Sequence, residues 1–192
     1  YVEALSSSKS PIVIGTGPAG CGKTLFACQE ASNKYYEENK KIIITRPTVG
    51  VDEELGYLPG NLESKMSPWM VPVFDMLKNS FSSYNIEKMM NNGMLEICPL
   101  SYMRGRTFEN CFVIADEMQN STANQLKMIL TRVGYDTKLV VLGDPDQTDL
   151  DSSKGMNGLL DLMHRLDKNT EEYDTISHVK LSEVDIQRHQ AV

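Results

Sequence analysis

The chain has 192 residues, 41% hydrophobic and 23% charged, with a formal net charge of −7. That is enough length for one sizeable core, so a single domain over residues 1–192 is expected, and the acidic balance argues against indiscriminate nucleic-acid binding over the whole surface, though not against a local basic groove. With no apolar run long enough to cross a membrane, no signal peptide and no C-x-x-C pair among Cys21, Cys28, Cys98 and Cys111, the composition predicts reduced, buried thiols and a cytoplasmic protein without a membrane partner.

In chain order, Tyr1–Ser10 (YVEALSSSKS) reads as the end of a helix followed by a polar linker; starting at Tyr1 rather than Met, the chain reads as a piece of a longer protein. Pro11–Thr16 (PIVIGT) is a short apolar strand, centred on Ile12–Gly15, that enters a turn. Gly17–Thr24 follows as GPAGCGKT and fits the pattern G-x-x-x-x-G-K-[ST], and Leu25–Tyr36 then carries helical residues. Strand, glycine loop and helix together are the setting of a phosphate-binding loop. In such a loop Gly17, Pro18, Ala19, Gly20, Cys21 and Gly22 wrap tightly enough for successive N–H groups to point at phosphate oxygens. The helix behind adds its dipole and its unpaired N–H groups. Lys23 is placed to neutralise the β- and γ-phosphates, and Thr24 to offer its hydroxyl to Mg²⁺. The cofactors expected are therefore ATP and Mg²⁺.

Lys41–Thr45 (KIIIT) is a second buried strand. Residues 48–99 are less regular and read as an insertion decorating the core. Within them LGYLPGNLE is a loop, and a helix starts near Ser67–Pro68 with Met66, Met70, Val73 and Leu77 at helical spacing and Pro72 restricting its first turn. The methionines Met66, Met70, Met76, Met89, Met90 and Met94 are read as core filler in preference to a partner-binding surface. Cys111–Ala115 and Lys138–Leu142 are the third and fourth strands, and Val179–Leu181 adds a fifth. Between the third and fourth, Ser121 or Thr122 caps a helix whose Leu126, Ile129, Leu130 and Val133 share one face, with Gly134 as its stop. Continuous apolar strands alternating with helices predict an α/β fold, a mostly parallel sheet with helices on both faces.

Two strand ends carry further chemistry. Asp116-Glu117-Met118-Gln119 follows the third strand: Asp116 is placed to hold Mg²⁺ through water, and Glu117 to orient the attacking water. Gly143-Asp144-Pro145-Asp146-Gln147 follows the fourth, and the Gln147 amide, which both donates and accepts, suits a γ-phosphate sensor. His164, His178 and His189 show no metal-ligand spacing, so no zinc is expected.

Taken together, GPAGCGKT, ITRP (Ile44–Pro47), LGYLPG (Leu55–Gly60), YMRGRT (Tyr102–Thr107), DEMQN, LTRVG (Leu130–Gly134) and GDPDQTDL resemble the PhoH family of ATPases, itself similar to superfamily 1 helicase cores. The resemblance runs to VDIQRHQAV at the end. It implies a RecA-like P-loop NTPase fold, ATP binding and hydrolysis, and a link to RNA metabolism. It implies that Gln119 couples nucleotide state to the core, that Thr45, Arg46 and Pro47 contact single-stranded nucleic acid, and that Arg188 reaches the γ-phosphate. Arg104 and Arg106 are candidates for RNA backbone or for a subunit interface; the alternative for each arginine is an ordinary ion pair. Family members often carry Thr where this chain has Cys21, and a glutamine that reads adenine would precede Tyr1. The function expected is ATP hydrolysis coupled to RNA or single-stranded nucleic acid, in a homo-oligomer for which a ring is one form. A nucleotide-controlled binding module with slow turnover, recruiting an RNA-processing partner, is the alternative. A small-molecule kinase is disfavoured, since no arginine-rich lid is evident.

Overall fold

The computed structural model describes residues 1–47, 71–149, 157–168 and 175–186. Six strands make one parallel sheet: β1 (Ile12–Thr16), β2 (Lys41–Arg46), β3 (Leu95–Pro99), β4 (Cys111–Ala115), β5 (Lys138–Gly143) and β6 (Ile176–Lys180), in the order β3-β2-β4-β5-β1-β6. The helices are α1 (Val2–Ser6), α2 (Lys23–Glu38), α3 (Ser83–Asn91), α4 (Ala123–Leu130) and α5 (Gly158–Lys168); residues 71–77 are helical as well.

β4 and β5 are buried at every position, as expected for central strands covered on both faces. The two-residue period of a strand then divides the apolar residues between two cores. On one face Val13, Ile42, Ile44, Phe112, Ile114, Val140 and Leu142 pack with Ala27, Cys28 and Ala31 of α2 and Met89 of α3. On the other, Ile14, Ile43, Val113, Ala115, Leu139 and Val141 pack with Leu126 and Ile129 of α4 and Leu159 of α5. The result is three layers. β5 lies between the strand that leads into the glycine loop and the strand that Asp116 directly follows, and this is the RecA-like P-loop NTPase fold. Among the described residues no helix is long and apolar enough to cross a membrane.

Several elements differ from the sequence reading. β6 begins at Ile176 and ends at Lys180 rather than covering Val179–Leu181, because it pairs with β1 along its whole length, Ile12↔Ile176 to Thr16↔Lys180. Its residues are half-buried, and Lys180 is exposed, so main-chain pairing rather than hydropathy defines it. Within 48–99, Leu95–Pro99 is an edge strand of the main sheet, paired with β2 from Ile42↔Leu95 to Arg46↔Pro99. Met89 is core, and Met76, Met90 and Met94 pack against it. Met66, Met70, the start of the helix expected near Ser67–Pro68 and the LGYLPGNLE loop lie outside the described residues. α4 is capped by Thr122, whose hydroxyl accepts from Gln125 N while Gln125 reaches back to Thr122 N, and it ends at Leu130. Gly134 is therefore not its stop. Gly134 N donates to Phe108 O at 2.8 Å, and a Cβ there would stand 2.5 Å from that oxygen, so glycine is required for a close backbone approach. The polar segment after α1 is no free linker: Lys138 Nζ donates to Ala4 O, Ser7 O and Ser10 O at 2.8, 2.6 and 2.7 Å.

Candidate functional site

The C-terminal ends of β1, β4 and β5 open on one cleft of about 380 Å³, within the range of small-ligand sites. Ala19, Gly20, Gly22, Lys23, Thr24 and Leu25 line it from the loop and α2, Asp116 and Glu117 from the end of β4, and Gly143, Asp144 and Gln147 from the end of β5. Gly22 is the N-cap of α2 at φ +82°, a left-handed conformation, and a Cβ there would lie 2.9 Å from the Phe26 ring. No side chain caps α2, so its first N–H groups are left for a ligand, and the dipole favours an anion.

Lys23 Nζ donates to Gly17 O at 2.7 Å and Pro18 O at 2.9 Å. Thr24 Oγ1 donates to Asp116 Oδ1 at 3.1 Å. Asp116 is 3% exposed, and its Oδ2 accepts from Arg46 Nε at 3.0 Å and Nη2 at 2.6 Å. The carboxylate's field reaches further. Burial, then Asp116, raises the Tyr1 hydroxyl well above the ordinary range and pushes the Cys28 thiol up to about 12. Tyr1 donates to Lys23 O at 2.9 Å and meets Phe26 edge-on, centroids 6.5 Å apart. Cys21 is buried within the loop.

Glu117 has φ +55°, which costs a non-glycine residue about 1–2 kcal/mol. Its exposed carboxylate accepts from Gln119 Nε2 at 2.6 Å. Gln119 is 3% exposed, and its Oε1 accepts from Asp144 N at 3.2 Å. A single buried amide thus joins the acidic end of β4 to the end of β5. Gln147 is exposed at the cleft, on a turn closed by its own N–H to Asp144 O at 3.1 Å. On the far side of the loop, Thr16 Oγ1 and His178 Nε2 are 3.0 Å apart; burial, then Lys180, lowers the His178 pKa and favours the neutral ring.

The loop Gly17–Thr24, Asp116, Glu117 and Gln147 are thus brought together. Arg46 arrives there too, but bound to Asp116 rather than free. Arg106 does not: it is paired with Glu96, Nη2 to Oε2 at 2.9 Å, and its guanidinium lies 5.2 Å from the Phe108 centroid. Lys41 joins the same carboxylate at 2.7 Å, and Arg106 foremost holds the Glu96 pKa down at about 2. Arg104 is exposed and has no polar partner among the described residues. Arg188 lies outside the described residues. The Arg46–Asp116 pair was missed in sequence because it depends on register: β2 and β4 align Thr45 with Ala115, which sets the next residues side by side. Tyr1 and the Gln119–Asp144 bond carried no local signal.

The residues present fit magnesium and a triphosphate. The Thr24 hydroxyl and Asp116 carboxylate are the hard oxygen donors that Mg²⁺ takes, and Lys23 with the open α2 terminus suits phosphate oxygens.

Residues 1–192 match the family described as PhoH-like protein. The chain is 41% identical over 193 residues to a PhoH-like protein of Bacillus subtilis, covering 100% of this chain and 58% of the relative. It is 40% identical over 195 residues to a PhoH-like protein of Mycobacterium tuberculosis, covering 100% and 53%, so it spans little more than half the length of these curated relatives. The Protein PhoH of Escherichia coli K12 is 42% identical over 175 residues, with 88% of this chain and 48% of the relative covered. A crystal structure of Pif1 helicase from Candida albicans superposes with a TM-score of 0.45 at 17% identity, over 95% of this chain and 38% of that one.

Proposed function

The chain belongs to the PhoH-like protein family, and on that premise we propose that it binds ATP with Mg²⁺ and hydrolyses it to ADP and phosphate. The observation that carries this reading is the Thr24 Oγ1 to Asp116 Oδ1 contact at 3.1 Å. Two oxygen donors suited to one divalent cation come from separate segments, one of them directly behind a phosphate-loop lysine. Magnesium, when bound, neutralises charge on the β- and γ-phosphates. Lys23 leaves the carbonyls of Gly17 and Pro18 for a phosphate oxygen, since a charged acceptor is the stronger partner. Glu117, held by Gln119, orients the attacking water, and Gln147 senses the γ-phosphate from beyond the end of β5. Arg188, or an arginine of a neighbouring copy in a homo-oligomer, stabilises the charge that develops in the transition state.

The finer part of the proposal is coupling to RNA or single-stranded nucleic acid, with Arg46 and Arg104 as phosphate contacts; Arg106 is committed to Glu96. A second reading, a nucleotide-controlled binding module with slow turnover, draws on the contacts that Lys23 and Asp116 make to protein groups, with which a nucleotide and its cation would have to compete. Steady-state phosphate release, with and without single-stranded RNA, on the wild type and Glu117→Gln, tests both. Turnover that RNA stimulates and the variant loses, with nucleotide binding kept, supports the ATPase. Slow turnover indifferent to RNA favours the binding module, and normal hydrolysis by the variant refutes the assignment of Glu117.

A further inference from the structure

We propose that Arg46 is a displaceable counterion of the magnesium site: it holds Asp116 while no cation is bound, gives the carboxylate up to Mg²⁺, and then offers its guanidinium to a phosphate of single-stranded nucleic acid. This rests on the nucleotide reading above and names how that site is regulated.

The geometry carries it. Arg46 is the last residue of β2, and Asp116 directly follows β4. Asp116 N donates to Thr45 O at 2.9 Å, which continues the ladder one step beyond β4 and sets Asp116 beside the end of β2. Those side chains are only 12% and 4% exposed. Asp116 Oδ2 carries both guanidinium bonds, and Oδ1 carries Thr24. The carboxylate proposed for magnesium therefore already accepts three protein hydrogen bonds, two of them from a fixed positive charge. A divalent cation held by Thr24 and, through water, by Asp116 would add positive charge on the side of the carboxylate facing Thr24, in a partly desolvated cleft where repulsion with the guanidinium is weakly screened. The two cations compete for one carboxylate.

The competition has a reciprocal consequence. Any anion that draws Arg46 from Asp116 tightens Mg²⁺ by the same factor by which Mg²⁺ tightens the anion. The guanidinium suits a phosphate, because its planar fork accommodates two oxygens at once. Arg46 lies at the C-terminal end of β2, level with Pro99 of β3, so its release would present the fork at the strand ends where the cleft opens. Nucleic acid and magnesium would then promote each other through one side chain, with no movement of the sheet.

The test is Mg²⁺ titration of fluorescent ADP-analogue binding to the whole chain, with and without saturating oligouridylate. The expected result is an apparent Mg²⁺ affinity raised about tenfold by the oligonucleotide, a typical coupling between sites. In Arg46→Met, which keeps an unbranched stem without the charge, Mg²⁺ affinity should rise about tenfold by itself and the oligonucleotide effect should vanish. Removing one member of a buried pair threatens folding; the wild-type measurement needs no variant, and Arg46→Lys, which keeps the charge and loses the fork, should fall between the two. Weaker Mg²⁺ binding in Arg46→Met would make Arg46 a positioning residue for Asp116 and overturn the proposal. Oligouridylate that fails to bind, or binds and leaves Mg²⁺ affinity unchanged, overturns it as well. A wild type that binds no ADP analogue at any Mg²⁺ concentration sinks the nucleotide reading and this inference together, whereas Mg²⁺-dependent binding without linkage sinks this inference alone.

Discussion

Lys138→Met removes the clamp on the N-terminal segment. Lys138 opens β5, is 9% exposed, and donates to the carbonyls of Ala4, Ser7 and Ser10. Methionine keeps the length of the stem and none of the donors. Ser10 is buried, so its carbonyl bears a full loss of about 1–3 kcal/mol, while the half-buried segments of Ala4 and Ser7 reach water at about 0.5 kcal/mol each, giving about 2–4 kcal/mol in all. The loss has a ceiling. Once α1 lets go, all three carbonyls are hydrated, so the cost cannot exceed the docking free energy of α1. That docking rests on Leu5, 1% exposed, worth about 1.5–3 kcal/mol, and on the Tyr1 bond to Lys23 O. The expected outcome is a lower urea midpoint together with faster exchange of the Leu5 and Ser7 amides, which donate to Tyr1 O and Glu3 O. The effect also has a pH signature. Burial, then Lys34, lowers the Lys138 pKa from 10.5 to about 8. Between those values the unfolded chain binds more protons than the folded one, so stability from this residue rises with pH across the window and is lost as pH falls through about 8. The wild type should gain on the variant from pH 8 toward pH 10.5. A change below about 0.5 kcal/mol with unaltered amide protection would refute the clamp, being no larger than an ordinary surface substitution.

Two further outcomes follow from local geometry. Thr122→Ala breaks the capping box of α4, in which Thr122 Oγ1 accepts from Gln125 N at 3.3 Å and Gln125 Oε1 from Thr122 N at 2.9 Å; the loss should be about 1 kcal/mol, or about 2–4 °C in Tm by calorimetry for a chain of this size, and an unchanged Tm would count against the cap. Glu96→Gln should cost about 1 kcal/mol at pH 7, a value already reduced for solvent screening because the side chain is 28% exposed. The Glu96 pKa falls from 4.5 to about 2 on folding, so the stability it supplies is fully present above pH 4.5 and is lost as pH falls through about 2; urea curves of wild type and variant should converge toward pH 2, and a constant gap would show that Glu96 contributes by packing.

What neighbouring residues encode was readable in the sequence. GPAGCGKT declares its loop because strand, glycines, lysine and helix are consecutive. Asp116 and Glu117 were visible because they directly follow CFVIA, a strand whose hydrophobic run survives full burial. What depends on register was not readable. β3 is an edge strand, half-buried at its centre, and its Glu96 is made compatible with the sheet by Lys41 and Arg106, so its five residues look like loop. Val133 looked like the helical face of α4, yet it bridges to Phe108, and Gly134 answers to the Phe108 carbonyl. Lys138 read as an ordinary strand residue until folding brought it to carbonyls about 130 positions away. The clearest case is Arg46, 70 positions from Asp116 in sequence: composition marks it as a cation near a strand end, and only the parallel pairing of β2 with β4 makes it the partner of the residue proposed to hold magnesium. Spacing along the chain determines which groups share a loop or a helix face, whereas strand order and register determine which charges meet.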